Sequence, residues 1–264
     1  MKEQADSSLR VTLIQTDIAW EDKERNLLSI ASKIRSLKGN TDLVLLPEMC
    51  TTGFSMNSRQ LAEPSGGKSL TTLQELAIEN NLAIAGSLIA EEEGNYFNRG
   101  FFLLPDGNSH YYDKRHLFRM GQEDRHFSAG NERLIVCYKN WNICLMICYD
   151  LRFPVWCRNQ KDEYDLLLFV ASWPESRIRV WENLLVARAL ENLCYVAGVN
   201  RIGRDGYNLN YCGKSIVIDP KGKTLLACPD DIEQIGTCSL SLDELQQFRK
   251  KFPAGDDADS FLIL

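Results

Sequence analysis

The 264-residue chain has no excess of basic charge: 30 Lys and Arg stand against 36 Asp and Glu, a formal net charge of −6. That balance gives no bulk attraction for nucleic acid or an anionic membrane, so neither is expected as a partner. Long apolar runs are missing too. The longest, such as Ile143 to Tyr149 and Leu193 to Val199, fall well short of the roughly 20 residues that cross a bilayer. The stretch Met1 to Ser8 lacks the apolar core of a secretory signal, which leads us to expect a cytoplasmic protein. No Gly-x-Gly-x-x-Gly and no Gly-x-Ser-x-Gly occurs, which removes the simplest arguments for a dinucleotide cofactor or a serine hydrolase. No Pro/Gly/Ser-rich linker divides the chain, so residues 1–264 read as one domain with a C-terminal tail from about residue 252. At 44% hydrophobic and 25% charged residues, disorder is excluded as the main theme.

What is plentiful is cysteine: Cys50, Cys137, Cys144, Cys148, Cys157, Cys194, Cys212, Cys228 and Cys238. The number is odd, and in a reducing compartment a chain with a core of this size needs no disulfides. Most are expected to be small buried hydrophobes, so the useful question is whether one of them does chemistry.

The hydrophobic pattern reads as an alternating α/β chain. Leu9 to Thr16 alternates like a half-buried strand, and Leu27, Ile30, Ala31, Ile34 and Leu37 recur at helical spacing after Asp22. Asp42 to Leu46 is a short apolar strand stopped by Pro47, and a helix capped by Ser69 leads to a strand at Leu82 to Ile89. Strands at Tyr96 to Leu104 and Ser109 to Asp113 follow, then a polar loop from Lys114 to Asn131. The second half repeats the theme: strands Leu134 to Tyr138 and Trp141 to Cys148, a helix after Pro154, a strand at Leu166 to Val170, and a helix from about Ser176 to Leu193. Strands at Cys194 to Val199, Tyr211 to Ile218, Lys223 to Cys228 and Glu233 to Leu240, and a helix from Ser241 to Lys251, complete it. Two mixed sheets packed face to face with helices outside, a four-layer α-β-β-α sandwich, would bury these runs on both faces.

Two motifs fail on inspection. Ser65-Gly66-Gly67-Lys68-Ser69 ends like a phosphate-binding loop, but Ala62 stands where that motif requires glycine. Cys144 and Cys148 with His116 and His126 have the residue types for zinc, yet the cysteines share one strand without the usual tight pair spacing, so no metal is expected. Cys148 is different because it sits where an apolar strand turns sharply into Tyr149-Asp150-Leu151-Arg152-Phe153-Pro154. Ligands collect beyond the C-terminal ends of such strands, and backbone N–H groups of the turn can bind an oxyanion there. Glu48 and Lys114 occupy comparable strand ends. A base, a cation and a thiol are the groups that amide hydrolysis by a cysteine needs. On spacing alone, Glu48 and Lys114 also read as solvated loop charges and Cys148 as one more buried small residue.

Three segments together resemble the nitrilase superfamily of carbon–nitrogen hydrolases: Leu45-Leu46-Pro47-Glu48, Tyr112-Asp113-Lys114-Arg115-His116-Leu117-Phe118, and Ile147-Cys148-Tyr149-Asp150-Leu151-Arg152-Phe153-Pro154. Their order matches the family's Glu-Lys-Cys triad, and Arg188-Ala189-Leu190-Glu191-Asn192 is similar to a family helix. The resemblance implies catalysis by Glu48, Lys114 and Cys148 without a cofactor. It also implies a second glutamate in the loop after the lysine, for which Glu123 is the candidate beside Asp124 or a simple solvated charge; His116 and His126 stay structural. Cys-Tyr-Asp-Leu-Arg-Phe-Pro is similar to the amidase branches, and Thr51 to Met56 with Ser172-Trp173-Pro174 is most similar to bacterial ω-amidases, which hydrolyse 2-oxoglutaramate and 2-oxosuccinamate to the dicarboxylates and ammonia.

That reading makes the expected partner a small amide. The Tyr149 N–H would bind the oxyanion, Phe54 and Trp173 would wall the pocket, and Arg177 would meet the distal carboxylate; an arginine at an exposed helix start is the alternative for Arg177. Another amidase or N-carbamoyl amide hydrolase of the superfamily, or a catalytically silent dimeric scaffold, are the other readings. The family resemblance further implies a homodimer or higher homo-oligomer. The apolar end Phe261-Leu262-Ile263-Leu264 is expected to pack on its own domain or a partner subunit.

Overall fold

The computed structural model describes residues 7–263. The first half runs β1 (Ser8–Gln15), α1 (Lys23–Arg35), β2 (Leu43–Leu45), α2 (Ser58–Leu61), β3 (Glu63–Pro64), α3 (Lys68–Asn80), β4 (Ala83–Glu92), β5 (Asn95–Leu103) and β6 (Ser109–Asp113). The second runs β7 (Leu134–Tyr138), β8 (Trp141–Ile147), β9 (Leu166–Ala171), α4 (Ile178–Asn192), β10 (Tyr195–Asn200), β11 (Ile202–Arg204), β12 (Asn210–Cys212), β13 (Ile216–Ile218), β14 (Thr224–Ala227), β15 (Gln234–Ser241) and α5 (Leu242–Lys251). One sheet has the order β15-β1-β2-β4-β5-β6 with β3 beside β4, and the other β14-β13-β10-β9-β8-β7. Each has three parallel strands at its centre, β1-β2-β4 and β8-β9-β10.

Strand alternation assigns the layers. Leu9, Val11, Leu13, Leu43 and Leu45 face the second sheet's Ile143 and Leu145, whereas Ile14, Val44 and Leu46 face the opposite way, onto Leu27, Ile30 and Ile34 of α1 and Leu73 and Leu76 of α3. Both faces of β2 are therefore dry, which is why it reads as an unbroken apolar run. On the far side, Trp181, Leu185 and Ala189 of α4 belong to the same core as the second sheet. Gly198 of β10 lets α4 approach: a Cβ there would lie 2.8 Å from both Leu185 and Trp181. The result is the expected four-layer α-β-β-α sandwich. No helix among the described residues is long and apolar enough to cross a membrane.

Local expectations fail in three places. The cap of α3 is Gly67, not Ser69; the Glu63 carboxylate accepts from the Ser69 N–H at 2.8 Å and from its hydroxyl at 2.6 Å, doing from β3 what a capping side chain does. No helix follows Pro154; the helical turn is the short 3₁₀ segment Cys148–Arg152 that precedes it. The run Tyr211 to Ile218 breaks at Gly213 and Lys214, both left-handed, so Asn210–Cys212 pairs with β11 as a ribbon while Ile216–Ile218 joins the second sheet. Most of the cysteines are buried, as expected; Cys137 is exposed and Cys238 half-buried, each on an outer strand. In the tail, Phe261 is half-buried but Leu262 is exposed; Leu264 lies outside the described residues.

Candidate active site

Glu48, Lys114 and Cys148 come from three strand ends, two in the first sheet and one in the second. Glu48 follows β2, Lys114 follows β6 directly, and Cys148 follows β8 directly. They line one cavity together with Phe54, Phe118, Tyr149, Arg152, Ser172, Trp173, Pro174, Arg177, Leu209 and Tyr211. Glu123, in the short 3₁₀ turn Glu123–Arg125, lies behind Lys114.

Glu48, Lys114 and Glu123 are fully buried and hydrogen-bonded as a unit. Lys114 Nζ donates to Glu48 Oε1 at 2.8 Å and to Glu123 Oε1 and Oε2 at 3.0 and 2.9 Å. The Ser172 N–H donates to Glu48 Oε2 at 2.9 Å, and the Phe118 N–H to Glu123 Oε2 at 2.6 Å. Burial works against the Lys114 ammonium, but Glu123 and Glu48 overcome it and hold its pKa above the ordinary lysine value. Burial pushes the Glu123 carboxyl up; Lys114 pulls it back and repulsion from Glu48 adds to the rise. A buried cation between two buried carboxylates is tolerable because each charge is paired and hydrogen-bonded.

The Cys148 thiol is also pushed well above its ordinary value, first by burial and then by the neighbouring Glu48 carboxylate, against a smaller opposing pull from Lys114. The resting thiol is thus protonated at neutral pH and needs a base to become a nucleophile. The Cys148 backbone is left-handed at φ 43°, a conformation unfavourable for a residue with a Cβ and one that clusters at functional sites. It is the sharp turn from β8 that presents the thiol to the cavity.

A second buried network fixes the lysine segment to the cysteine turn. Asp150 accepts from the Ile147 N–H and the Tyr112 hydroxyl on Oδ2, at 3.0 and 2.7 Å, and from the His116 N–H at 3.1 Å on Oδ1, where His116 Nδ1 also lies 2.8 Å away. Trp156 Nε1 donates to the same tyrosine hydroxyl, and His116 stacks on Phe153 with ring centroids 3.7 Å apart. His116 is thus held between Asp150 and Phe153 in this network. His126 lies outside this network and lines a separate surface groove. No group of three or more His, Cys, Asp or Glu among the described residues is arranged to hold a metal ion.

All eight residues singled out from sequence fall at this site. Phe54 lies under Lys114, whose Nζ is 5.3 Å from the ring centroid. Trp173 forms a wall and donates from Nε1 to the Arg177 carbonyl. Arg177 ends the 3₁₀ turn before α4 and reaches the cavity with its guanidinium 5.2 Å from the Phe118 ring. Several contributors escaped the sequence reading. Arg152 lines the cavity 5.3 Å from the Trp173 ring. Tyr211 and Leu209 arrive from the β11-β12 ribbon, and Ser172 acts through its backbone. Asn98 touches both carboxylates; beside Arg99 in the run Phe97-Asn98-Arg99-Gly100, nothing in the sequence set it apart.

Residues 10–250 match the carbon-nitrogen hydrolase family. The chain is 42% identical over 259 residues to the omega-amidase YafV of Yersinia enterocolitica, covering 98% of this chain and 100% of that enzyme. It is 31% identical over 251 residues to the 2-oxoglutaramate amidase of Bacillus subtilis, covering 94% and 96% of the two. Among solved structures, XC1258 from Xanthomonas campestris, a CN-hydrolase superfamily protein described with an arsenic adduct in its active site, superposes with a TM-score of 0.95 at 43% identity, over 97% of this chain and 99% of that one.

Proposed function

The chain belongs to the carbon-nitrogen hydrolase family and is an amidase of the nitrilase superfamily, and from that premise we propose that it is an ω-amidase working through a thioester on Cys148. Its substrates are small dicarboxylate monoamides such as 2-oxoglutaramate and 2-oxosuccinamate, as the names of its relatives also favour. Glu48 takes the thiol proton as sulfur attacks the amide carbon, giving a tetrahedral intermediate. The Tyr149 N–H, early in a 3₁₀ turn where such groups lack intrahelical partners, stabilises the oxyanion together with the charge of Lys114. Protonated Glu48 passes its proton to the departing ammonia. Water, activated by the same carboxylate, then cleaves the thioester.

The observation that carries this reading is the meeting of thiol, carboxylate and ammonium on one cavity that also contains two guanidiniums, Arg152 and Arg177. Neither guanidinium is in a salt bridge among the described residues, so both are available to an anionic substrate end, and Arg177 can make a bidentate contact to its carboxylate. That convergence weighs against a silent scaffold. Steady-state comparison of 2-oxoglutaramate, succinamate and N-carbamoyl amino acids tests the substrate class; preference for the carbamoyl compounds would refute it. Cys148→Ala is expected to abolish turnover with the fold intact. Glu48→Gln is expected to lower both acylation and deacylation, kcat falling by about 10²–10⁴-fold; accumulation of a stable thioester would confine Glu48 to the second step.

We place the exposed end of the tail against a second subunit of a homodimer, since Leu262 is 81% exposed in the single chain. Truncation after Gly255 should weaken dimerisation, read by sedimentation velocity.

A further inference from the structure

One residue touches every charged member of the buried unit. Asn98, fully buried in β5, donates from Nδ2 to Glu48 Oε1 at 2.8 Å and to Glu123 Oε1 at 2.9 Å, while its backbone carbonyl accepts from the Lys114 N–H at 3.0 Å. Its own Oδ1 accepts from no protein group, an unfavourable state for a buried carbonyl oxygen. Turning the amide over would set that oxygen against two carboxylate oxygens, which fixes the orientation.

The lone pairs can be counted, since a carboxylate has about four acceptor positions, two on each oxygen. Glu123 has all four occupied: Lys114 and Asn98 on Oε1, Lys114 and the Phe118 N–H on Oε2. Glu48 has three occupied: Lys114 and Asn98 on Oε1, and the Ser172 N–H on Oε2. The remaining position, on Glu48 Oε2, is the one left for the Cys148 thiol, whose side chain hydrogen-bonds to this carboxylate.

From this geometry we infer that Asn98 is a positioning residue which closes Glu48 Oε1 to protons, so that the proton from Cys148 travels on Oε2 to the leaving ammonia. The inference rests on Glu48 being the proton carrier in the proposed reaction. The groups facing Glu48 are Lys114 after β6, Glu123 from its 3₁₀ turn, Cys148 after β8, and the Ser172 N–H after β9; Arg152, Arg177 and Tyr211 look onto the same cavity. None of these gives both carboxylates a neutral donor, which Asn98 alone among the described residues does. Without it, ionised Glu48 loses a hydrogen bond that favours its charged form, and Oε1 opens as a competing proton site.

The test has a substrate-independent arm and a kinetic one. Alkylation of Cys148 by iodoacetamide, followed against pH, reads the Glu48–Cys148 couple directly. With Asn98→Ala the acid limb of that profile should move up by about one pH unit, and the limb of kcat should move with it. kcat should fall by roughly 10–100-fold, with KM changed by less than about threefold. Asn98→Asp can donate only when protonated, so its activity relative to wild type should recover as pH falls. Asn98→Ser, able to donate to one carboxylate only, supplies the reading if the Ala variant does not fold. A folded variant with the wild-type acid limb, or a loss confined to KM, overturns the inference. Absence of turnover with every ω-amide would count against the proposed substrates, while the alkylation profile would still decide the role of Asn98.

Discussion

At the scale of single residues, the site combines strain with saturation. Cys148 is held at φ 43°, where a Cβ is disfavoured by about 1–2 kcal/mol. Glycine at this position should therefore relieve what alanine retains. We expect Cys148→Gly to be at least as stable as Cys148→Ala by denaturant titration, although Ala-to-Gly changes in regular structure ordinarily cost about 1 kcal/mol; a clearly weaker Gly variant would show that the turn is unstrained. Asp150 offers the opposite case, a carboxylate whose two oxygens serve several groups. Asn in its place has one acceptor oxygen, so buried donors from Ile147 and Tyr112 or from His116 lose their partner. A loss of about 2–4 kcal/mol is expected, together with lower kcat, because the same bonds tie the lysine segment to the cysteine turn.

At the scale of elements, the two sheets are pinned at one corner by Asp42. It pairs with Arg10 of β1 at 3.0 Å and with Lys139, between β7 and β8, at 2.5 Å. Burial alone would raise this carboxyl, but the hydrogen bonds from Arg10 and Lys139 bring it down to about 2 from 3.8. The folded value lies below the unfolded one, so the contribution is fully present above pH 3.8 and is lost as pH falls toward 2. Asp42→Asn should lower stability at neutral pH by about 1–2 kcal/mol, allowing for the solvent exposure of both cations, and the difference should shrink on acid titration. The same scale shows why the sequence could be read as far as it was. Helix α1 and strands β1, β2 and β4 are written in apolar periodicity and in the local cap at Asp22. The cap of α3 was not, since it comes from Glu63 on another element, and neither was the break at Gly213 and Lys214, where the chain leaves the ribbon for the second sheet. Asn98 and Asp150 were hidden for a related reason: a buried polar residue declares only that it needs partners, and those partners lie on other strands.

At the scale of the whole molecule, a chain with net charge −6 concentrates positive charge at its cavity. Lys114 is more than offset by Glu48 and Glu123, but Arg152 and Arg177, on the same cavity, have no carboxylate partner among the described residues. Attraction of an anionic amide is thus local and screened by salt. As the Debye length falls from about 30 Å at 0.01 M to about 8 Å at 0.15 M, kcat/KM for 2-oxoglutaramate should drop severalfold while that of a neutral amide stays nearly constant; equal salt responses would remove the two arginines from substrate capture. The triad was legible because three short segments each carry their chemistry next to a strand end, whereas the pocket walls come from the β11-β12 ribbon and from side chains whose neighbours only folding defines. One further consequence lies in the pairing of β15 with β1, an eight-residue antiparallel ladder from Ser8 opposite Ser241 to Gln15 opposite Gln234. During synthesis, β1 leaves the ribosome long before its outer neighbour exists, and it presents an open row of backbone donors and acceptors throughout that interval. Completing the first sheet must wait for nearly the whole polypeptide, so nascent chains that stall before residue 234 are the form most prone to pair with one another rather than to fold.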